Sequence, residues 1–215
     1  MAHPPRLWIT IPAKPLAEGK SRLSAALTGQ ERQDLTRQLL ERTLAVALSL
    51  ERVAGVLVVS RDPDVLALAA QRGALALAEE FTGTFSVYGP EWGLNRAVEQ
   101  AVAYVQERGG DALLFLPIDL PLLRAEDIQA LAQAWAEREN CLVIAPSHSG
   151  GTNGLLLSPP DVIAPAFGTG SFARHRLLAQ QAGLRVEIVE SANLAWDVDT
   201  PDEYALLVGN QQRAG

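Results

Sequence analysis

The sequence predicts one α/β domain, a mostly parallel sheet covered by helices on both faces. Three observations carry this. Short apolar, β-branched runs alternate with helical stretches along nearly the whole chain. Several runs are apolar at every position, the mark of parallel strands buried on both faces. The 215 residues are 48% hydrophobic and 20% charged, which suits one sizeable core and excludes wholesale disorder.

The elements follow in order. Residues 7–11 (Leu-Trp-Ile-Thr-Ile) read as the first strand, and residues 12–24 as a loop rich in Pro, Gly and basic residues. Thr28-Gly29-Gln30-Glu31 has the form of a capping box, and the helix behind it places Leu35, Leu39, Leu40, Leu44 and Ala47 on one face. Residues 55–59 form a second strand. Asp62-Pro63 restarts a helix that ends near Gly73, and a brief strand follows at 74–78. Residues 79–93 are irregular and aromatic, with Phe81, Phe85, Tyr88 and Trp92. A helix over 94–108 is closed by Gly109-Gly110. Residues 111–116 make the central strand, 125–138 an amphipathic helix, and 142–145 and 154–158 two strands. A helix over 172–182, a strand over 186–189 and a helix over 201–208 complete the chain. No repeat or flexible linker interrupts it.

Charge and cysteine content exclude several functions. A net charge of -7 argues against a general nucleic-acid binder. The single Cys141 has no partner for an internal disulfide and sits at the entry to an apolar strand, which reads as core rather than a catalytic thiol. His3, His148 and His175 lack zinc-ligand spacing. The start of the chain leads into a short strand rather than a signal peptide, and no apolar run is long enough to span a membrane. A cytoplasmic protein is expected.

Four segments carry chemistry. In Trp196-Asp197-Val198-Asp199-Thr200-Pro201 two acids alternate, so an extended backbone aims both to one side. Together with Asp119, just beyond the central strand, they form an oxygen donor set suited to Mg²⁺ or Mn²⁺. Taken alone, Asp199 is equally explained as a favourable charge before the helix that Thr200-Pro201-Asp202-Glu203 begins. The loop after the first strand holds Lys14, Lys20 and Arg22 with the hydroxyl of Ser21, a combination that suits phosphates. It contains neither a Gly-x-Gly-x-x-Gly fingerprint nor a Walker A sequence. Ser149-Gly150-Gly151-Thr152-Asn153-Gly154 opens a strand, either as an anion-binding turn or as a tight inter-strand turn. Phe167-Gly168-Thr169-Gly170-Ser171 opens a helix whose N-terminus would hold an anion, with Gly168 and Ser171 closest to it. The alternative is a simple cap by Thr169 or Ser171. Arg174 and His175 either reach this pocket or lie on the surface. Asn95, in the first turn of its helix, is a candidate contact for a base or sugar. In open α/β sheets ligands bind beyond the carboxyl ends of the strands, where the first loop, Asp119 and the Asp197 segment would meet.

Taken as an ordered set, these segments resemble the 2-phospho-L-lactate / phosphoenolpyruvate guanylyltransferase family, which serves biosynthesis of the deazaflavin coenzyme F-420. The set is Pro12-x-Lys14, Lys20-Ser21-Arg22-Leu23, Leu116-Pro117-Ile118-Asp119-Leu120-Pro121, Gly151-Thr152-Asn153, Phe167-Gly168-x-Gly170-Ser171-Phe172-x-Arg174-His175 and Asp197-Val198-Asp199-Thr200-Pro201. The resemblance implies a three-layer α/β/α nucleotidylyltransferase fold of GT-A-like, Rossmann-like type over residues 1–215. It implies GTP as donor, and phosphoenolpyruvate or 2-phospho-L-lactate as acceptor; phosphoenolpyruvate is expected on the assumption of a bacterial source, since no residue decides between them. It gives Asp119, Asp197 and Asp199 as ligands of Mg²⁺ or Mn²⁺, and Lys14, Lys20, Arg22 and Asp119 as the catalytic set. Lys14, Lys20, Ser21, Arg22 and Asn95 would hold the nucleotide, and Thr152, Gly168 and Ser171 the acceptor. The product would pass to a downstream deazaflavin transferase, with no nucleic-acid or membrane partner. The aromatic loop would serve as a lid or as a contact in a homodimer. Two rival readings stay open: a nucleotidylyltransferase for 3-phosphoglycerate, a sugar phosphate or the molybdenum cofactor, and a non-catalytic GTP-binding domain.

Overall fold

The computed structural model describes residues 5–80, 90–136 and 138–214, with side chains throughout except at 90–92 and 210–214. Among the described residues seven strands, β1 (Leu7–Pro12), β2 (Gly55–Ser60), β3 (Leu75–Ala78), β4 (Ala112–Phe115), β5 (Cys141–Pro146), β6 (Thr152–Ser158) and β7 (Arg185–Ile188), form one sheet in the order β3-β2-β1-β4-β6-β5-β7. Neighbours pair parallel, except that β6 runs antiparallel to both β4 and β5. The mostly parallel sheet expected from the sequence is present. The reversal at β6 has a local cause: the link from β5 to β6 is a tight turn, far too short for a parallel crossover. Because β6 runs backwards, its first residues lie at the edge where the other strands end.

The helices are α1 (Gly29–Leu48), α2 (Pro63–Arg72), α3 (Pro90–Gln106), α4 (Ala125–Trp135), α5 (Ser171–Gln181), α6 (Ala192–Ala195) and α7 (Pro201–Ala214). Alternation along β1 divides the core. Leu7, Ile9 and Ile11 point to one face and pack with Leu40 and Leu44 of α1 and Ile128 and Leu131 of α4. Trp8 points to the other face, with Ala97, Ala101 and Val105 of α3. A third cluster joins Phe115, Leu142, Ile144, Leu155 and Leu157 to Phe167 and to Ala179 of α5. Each fully buried leucine stabilises this three-layer arrangement by roughly 1.5–3 kcal/mol. Trp8 fits only because position 55 is glycine, where an added Cβ would sit 2.5 Å from its ring.

Local signals set most boundaries. Thr28 and Glu31 form the expected reciprocal capping box of α1, and Asp62 caps α2 ahead of Pro63. Helix α3 begins at Pro90, earlier than the pattern from Leu94 suggests, with proline in the first turn where its missing N–H costs nothing. Helix α4 stops at Trp135 instead of reaching 138, because Ala136 turns left-handed (φ 47°). Helix α7 continues to Ala214 rather than ending at 208. The short α6 has no counterpart in the sequence reading. Residues 81–89 of the expected aromatic loop lie outside the described residues.

Candidate functional site

The ends of β1, β4, β5 and β7 and the start of β6 lie along one edge of the sheet, and the expected site residues sit in the segments there. After β1, the loop folds into two short turns, Leu16–Glu18 and Ser21–Ala25. Leu16 and Leu23 are buried and pin it down. The Leu16 N–H donates to Asp62 Oδ2 (2.9 Å), and Arg61 pairs with Glu18. Gly19 presses against α1: a Cβ there would lie 2.3 Å from Thr36 Oγ1. The next residue, Lys20, has φ 51°, an uncommon conformation for a residue with a side chain. This turn directs the Lys20 side chain inward, where it is only 5% exposed.

Lys20 Nζ lies 3.3 Å from Asp119 Oδ2 and 3.0 Å from Asp199 Oδ1. Burial pulls the Lys20 ammonium down, but the charges of Asp119 and Asp199 outweigh it and hold the pKa above the ordinary lysine value. Arg22, largely exposed, approaches Asp199 Oδ2 at 3.6 Å. Lys14 and Ser21 are exposed on the same loop.

The acid segment is fixed from several sides. Val198 is buried, and its N–H donates to the Asp119 carbonyl (3.1 Å), tying the two acid-bearing loops together. The N–H groups of Asp199 and Thr200 both donate to Glu203 Oε2 (2.8 Å each), and Glu203 N–H returns to Thr200 Oγ1 (3.4 Å). The helix-start reading of Thr200-Pro201-Asp202-Glu203 is therefore correct, and it coexists with the packing of Asp199 on Lys20. Asp197 accepts from Asn153 Nδ2 (3.3 Å) and lies 3.7 Å from His148 Nδ1. Burial pushes the Asp197 carboxyl above its usual range and the charge of Asp119 adds to this, while the Asn153 bond opposes it and Asp199 contributes less.

The two alternating acids share a side but not a partner. Asp197 faces Asn153 and His148; Asp199 faces Lys20 and Arg22. Among the described residues no three His, Cys, Asp or Glu side chains are gathered closely enough to enclose one ion. In this structure the two acids of the expected metal set turn to different partners, Asp197 to Asn153 and His148 and Asp199 to Lys20 and Arg22. The donor chemistry nonetheless fits a hard cation. Asp119 Oδ1 is buried without a hydrogen-bond partner, and both the burial that raises Asp197 and the Asp119 charge that adds to it are offset by a divalent ion.

A second cluster lies alongside. Asn95 uses both ends of its amide on the Phe167 backbone: Oδ1 accepts from Phe167 N–H (2.8 Å), and Nδ2 donates to its carbonyl (3.4 Å). The Phe167 ring packs at a tilt of 45° against Phe115, with 4.2 Å between ring centroids. Gly168 and Gly170 take φ values of 119° and 70°, which a side chain would resist. Ser171 begins α5 and donates to Thr152 Oγ1 (3.1 Å), so β6 and this loop meet. Gly168 joins Thr152 and Ser171 through its carbonyl, which accepts from the Ser171 N–H (3.0 Å). Asn95 is engaged with the loop backbone.

Several residues escaped the sequence reading. His175 is neither at the pocket surface nor on the outer surface; it is fully buried between Thr152 Oγ1 (3.1 Å) and the Ala166 N–H (2.9 Å). Asp127, buried on α4, accepts from Ser191 Oγ (2.6 Å), from Asn193 Nδ2 (3.1 Å) and from its own helix start at Arg124 N–H (2.9 Å). It thereby grips α6, whose other side gives the Leu194 carbonyl to Asn153 (2.8 Å) and the Ala195 carbonyl to His148 (2.9 Å). The Asp127-Ser191 contact spans 64 positions, a separation that no local pattern marks.

The family described as guanylyl transferase CofC like matches residues 7–214. A phosphoenolpyruvate guanylyltransferase of Sphaerobacter thermophilus is 40% identical over 93% of this chain and 91% of its own length. A 2-phospho-L-lactate guanylyltransferase of Methanocaldococcus jannaschii is 29% identical over 92% of this chain and 80% of its own. Among solved structures, a nucleotidyl transferase from Methanothermobacter has a TM-score of 0.67 at 14% identity, covering 98% of this chain and 99% of that one, and shares the fold. Its sheet, its ordered motifs and its relatives agree: the chain belongs to the CofC-like guanylyl transferase family, as its sequence resemblance implied.

Proposed function

We propose that this protein transfers the guanylyl group of GTP to the phosphate of phosphoenolpyruvate, releasing diphosphate. The observation that carries the site assignment is the convergence of Lys20, Asp119 and Asp199 at the carboxyl edge of the sheet. The preference for phosphoenolpyruvate over 2-phospho-L-lactate follows the relatives, which are 40% and 29% identical respectively.

In the reaction an oxygen of the acceptor phosphate attacks the α-phosphorus of GTP, and the bond to the β-phosphate oxygen breaks as diphosphate leaves. The acceptor oxygen is already anionic, so no protein nucleophile is needed. The protein must instead hold two polyanions together and offset their charge. Lys14, Lys20 and Arg22 take the phosphates of GTP, with Ser21 as an added donor. Mg²⁺ or Mn²⁺ would be held by Asp119, Asp197 and Asp199 in exchange for the Lys20 ammonium, and would supply positive charge beside the reacting phosphates. Thr152, Gly168 and Ser171 hold the acceptor. Asn95 serves the nucleotide or acceptor through the Phe167 loop that it braces. The product passes to a deazaflavin transferase in the cytoplasm.

Diphosphate release from GTP and Mg²⁺, measured with phosphoenolpyruvate, 2-phospho-L-lactate or 3-phosphoglycerate in separate reactions, tests this reading. It predicts fastest release with phosphoenolpyruvate. Release only with 3-phosphoglycerate or a sugar phosphate would replace the acceptor, and GTP binding without release under any condition would overturn the activity.

A further inference from the structure

His175 has no part in the reaction as set out above, yet it is fully buried where the two halves of the acceptor cradle meet. Its bonding fixes its chemical form. A backbone N–H can only donate, so the Ala166 N–H (2.9 Å) requires a lone pair on Nε2. A neutral imidazole with Nε2 unprotonated carries its proton on Nδ1, which faces Thr152 Oγ1 at 3.1 Å. The ring is enclosed edge-on by Phe167, at 4.9 Å between centroids.

Thr152 Oγ1 therefore accepts from His175. It also lies 3.1 Å from Ser171 Oγ. The two hydroxyls hold two protons, and only one can lie between them. The other must donate elsewhere, and both groups are nearly buried, at 6% for Thr152 and 2% for Ser171. An imidazole that accepted from Thr152 would instead absorb that proton. With the Nδ1–H donating, the pair keeps one O–H for an outside acceptor. The same ring anchors the loop at Ala166, adjoining Phe167, which Asn95 grips from the other side.

We propose that His175 is a positioning residue for the acceptor: locked as the Nδ1–H tautomer, it holds the Thr152–Ser171 pair so that one hydroxyl proton is directed to an anionic oxygen of the acceptor. This rests on the reading that Thr152, Gly168 and Ser171 hold the acceptor.

His175→Gln separates the two bonds. The Gln carbonyl reaches the place of Nε2 and keeps the Ala166 bond, but the donor toward Thr152 is lost. His175→Asn does the reverse, placing an amide donor toward Thr152. The expected result is that His175→Gln raises the KM and calorimetric Kd for phosphoenolpyruvate roughly tenfold or more, as expected for a hydrogen bond to a charged group, and leaves the KM for GTP within about twofold. His175→Asn recovers part of that loss. If a histidine variant fails to fold, Thr152→Val gives the same split, and Thr152→Ser restores acceptor binding. Equal rises in both KM values, or an unchanged Kd for phosphoenolpyruvate in folded His175→Gln or in Thr152→Val, would overturn the proposal. Wild-type protein that neither binds nor turns over phosphoenolpyruvate would overturn the acceptor reading itself, a result distinct from a working wild type with indifferent variants.

Discussion

Burial makes His175 an acid-sensitive element of the fold. Removal from water pulls its pKa down from 6.5 to about 4, and the nearby Arg174 charge contributes in the same direction. The unfolded chain therefore binds a proton at a pH where the folded chain does not. The stability held at neutral pH is full above 6.5 and is lost as the pH falls toward about 4. Integrating the two titrations gives a loss of about 2–3 kcal/mol by about pH 4.5, approaching about 3–4 kcal/mol at still lower pH. For a chain of 215 residues this amounts to a fall of about 5–10 °C in Tm. Urea unfolding of wild type and His175→Gln at about pH 7 and about pH 4.5 isolates the effect, because every other titrating group is common to both. Wild type should lose about 2–3 kcal/mol more than the variant between the two conditions. Equal losses would show that the imidazole is not held neutral by burial, and the tautomer argument would fall with it.

Three further outcomes follow from the same contacts. Asp127→Ala removes the acceptor of Ser191, Asn193 and the α4 N-terminus, and should cost about 3–5 kcal/mol in urea unfolding, with a lower kcat because α6 leads directly to Asp197. Gly19→Ala drives a Cβ into Thr36; about 1–3 kcal/mol of stability and a weaker grip on GTP are expected, read by unfolding and by the KM for GTP. Asp199→Asn leaves the capping of α7 by Glu203 in place, so circular dichroism should be unchanged while kcat falls by a factor of about 100 or more. An Asp199→Asn protein with full activity would remove this acid from the reaction.

How much of this was legible in the sequence divides along range. Thr28-Glu31, Asp62-Pro63 and Thr200-Glu203 signal helix starts because capping is a contact over three or four residues, and all three are present. Strands β1, β2 and β4 were readable because burial on both faces leaves apolar runs. Thr152 and Ser171 were singled out as candidates because glycines mark the turns that carry them. The reversal of β6 was not drawn from the sequence, although the tight inter-strand turn that stood as one reading of residues 149–154 is the short connection that imposes it. Lys20 was read as a candidate phosphate ligand, but its seat on Asp119 and Asp199 depends on a contact spanning 179 positions. His175 was ambiguous for the same reason: its partners come from β6 and from the loop before α5, and an isolated histidine in a polar helix gives no sign of them. Asp127 drew no sequence reading, because its partners Ser191 and Asn193 lie 64 and 66 positions away.

The central claim is tested most directly by phosphorus NMR of the protein incubated with GTP, Mg²⁺ and phosphoenolpyruvate, with an inorganic pyrophosphatase to draw the reaction forward. The account predicts loss of the phosphoenolpyruvate monoester signal and a new pair of coupled resonances from a diphosphate that joins it to GMP. If the product is too short-lived to accumulate, adding the downstream transferase and its deazaflavin acceptor should yield the transferred product and free GMP. Unchanged GTP and phosphoenolpyruvate signals under both conditions, with GTP bound, would contradict it.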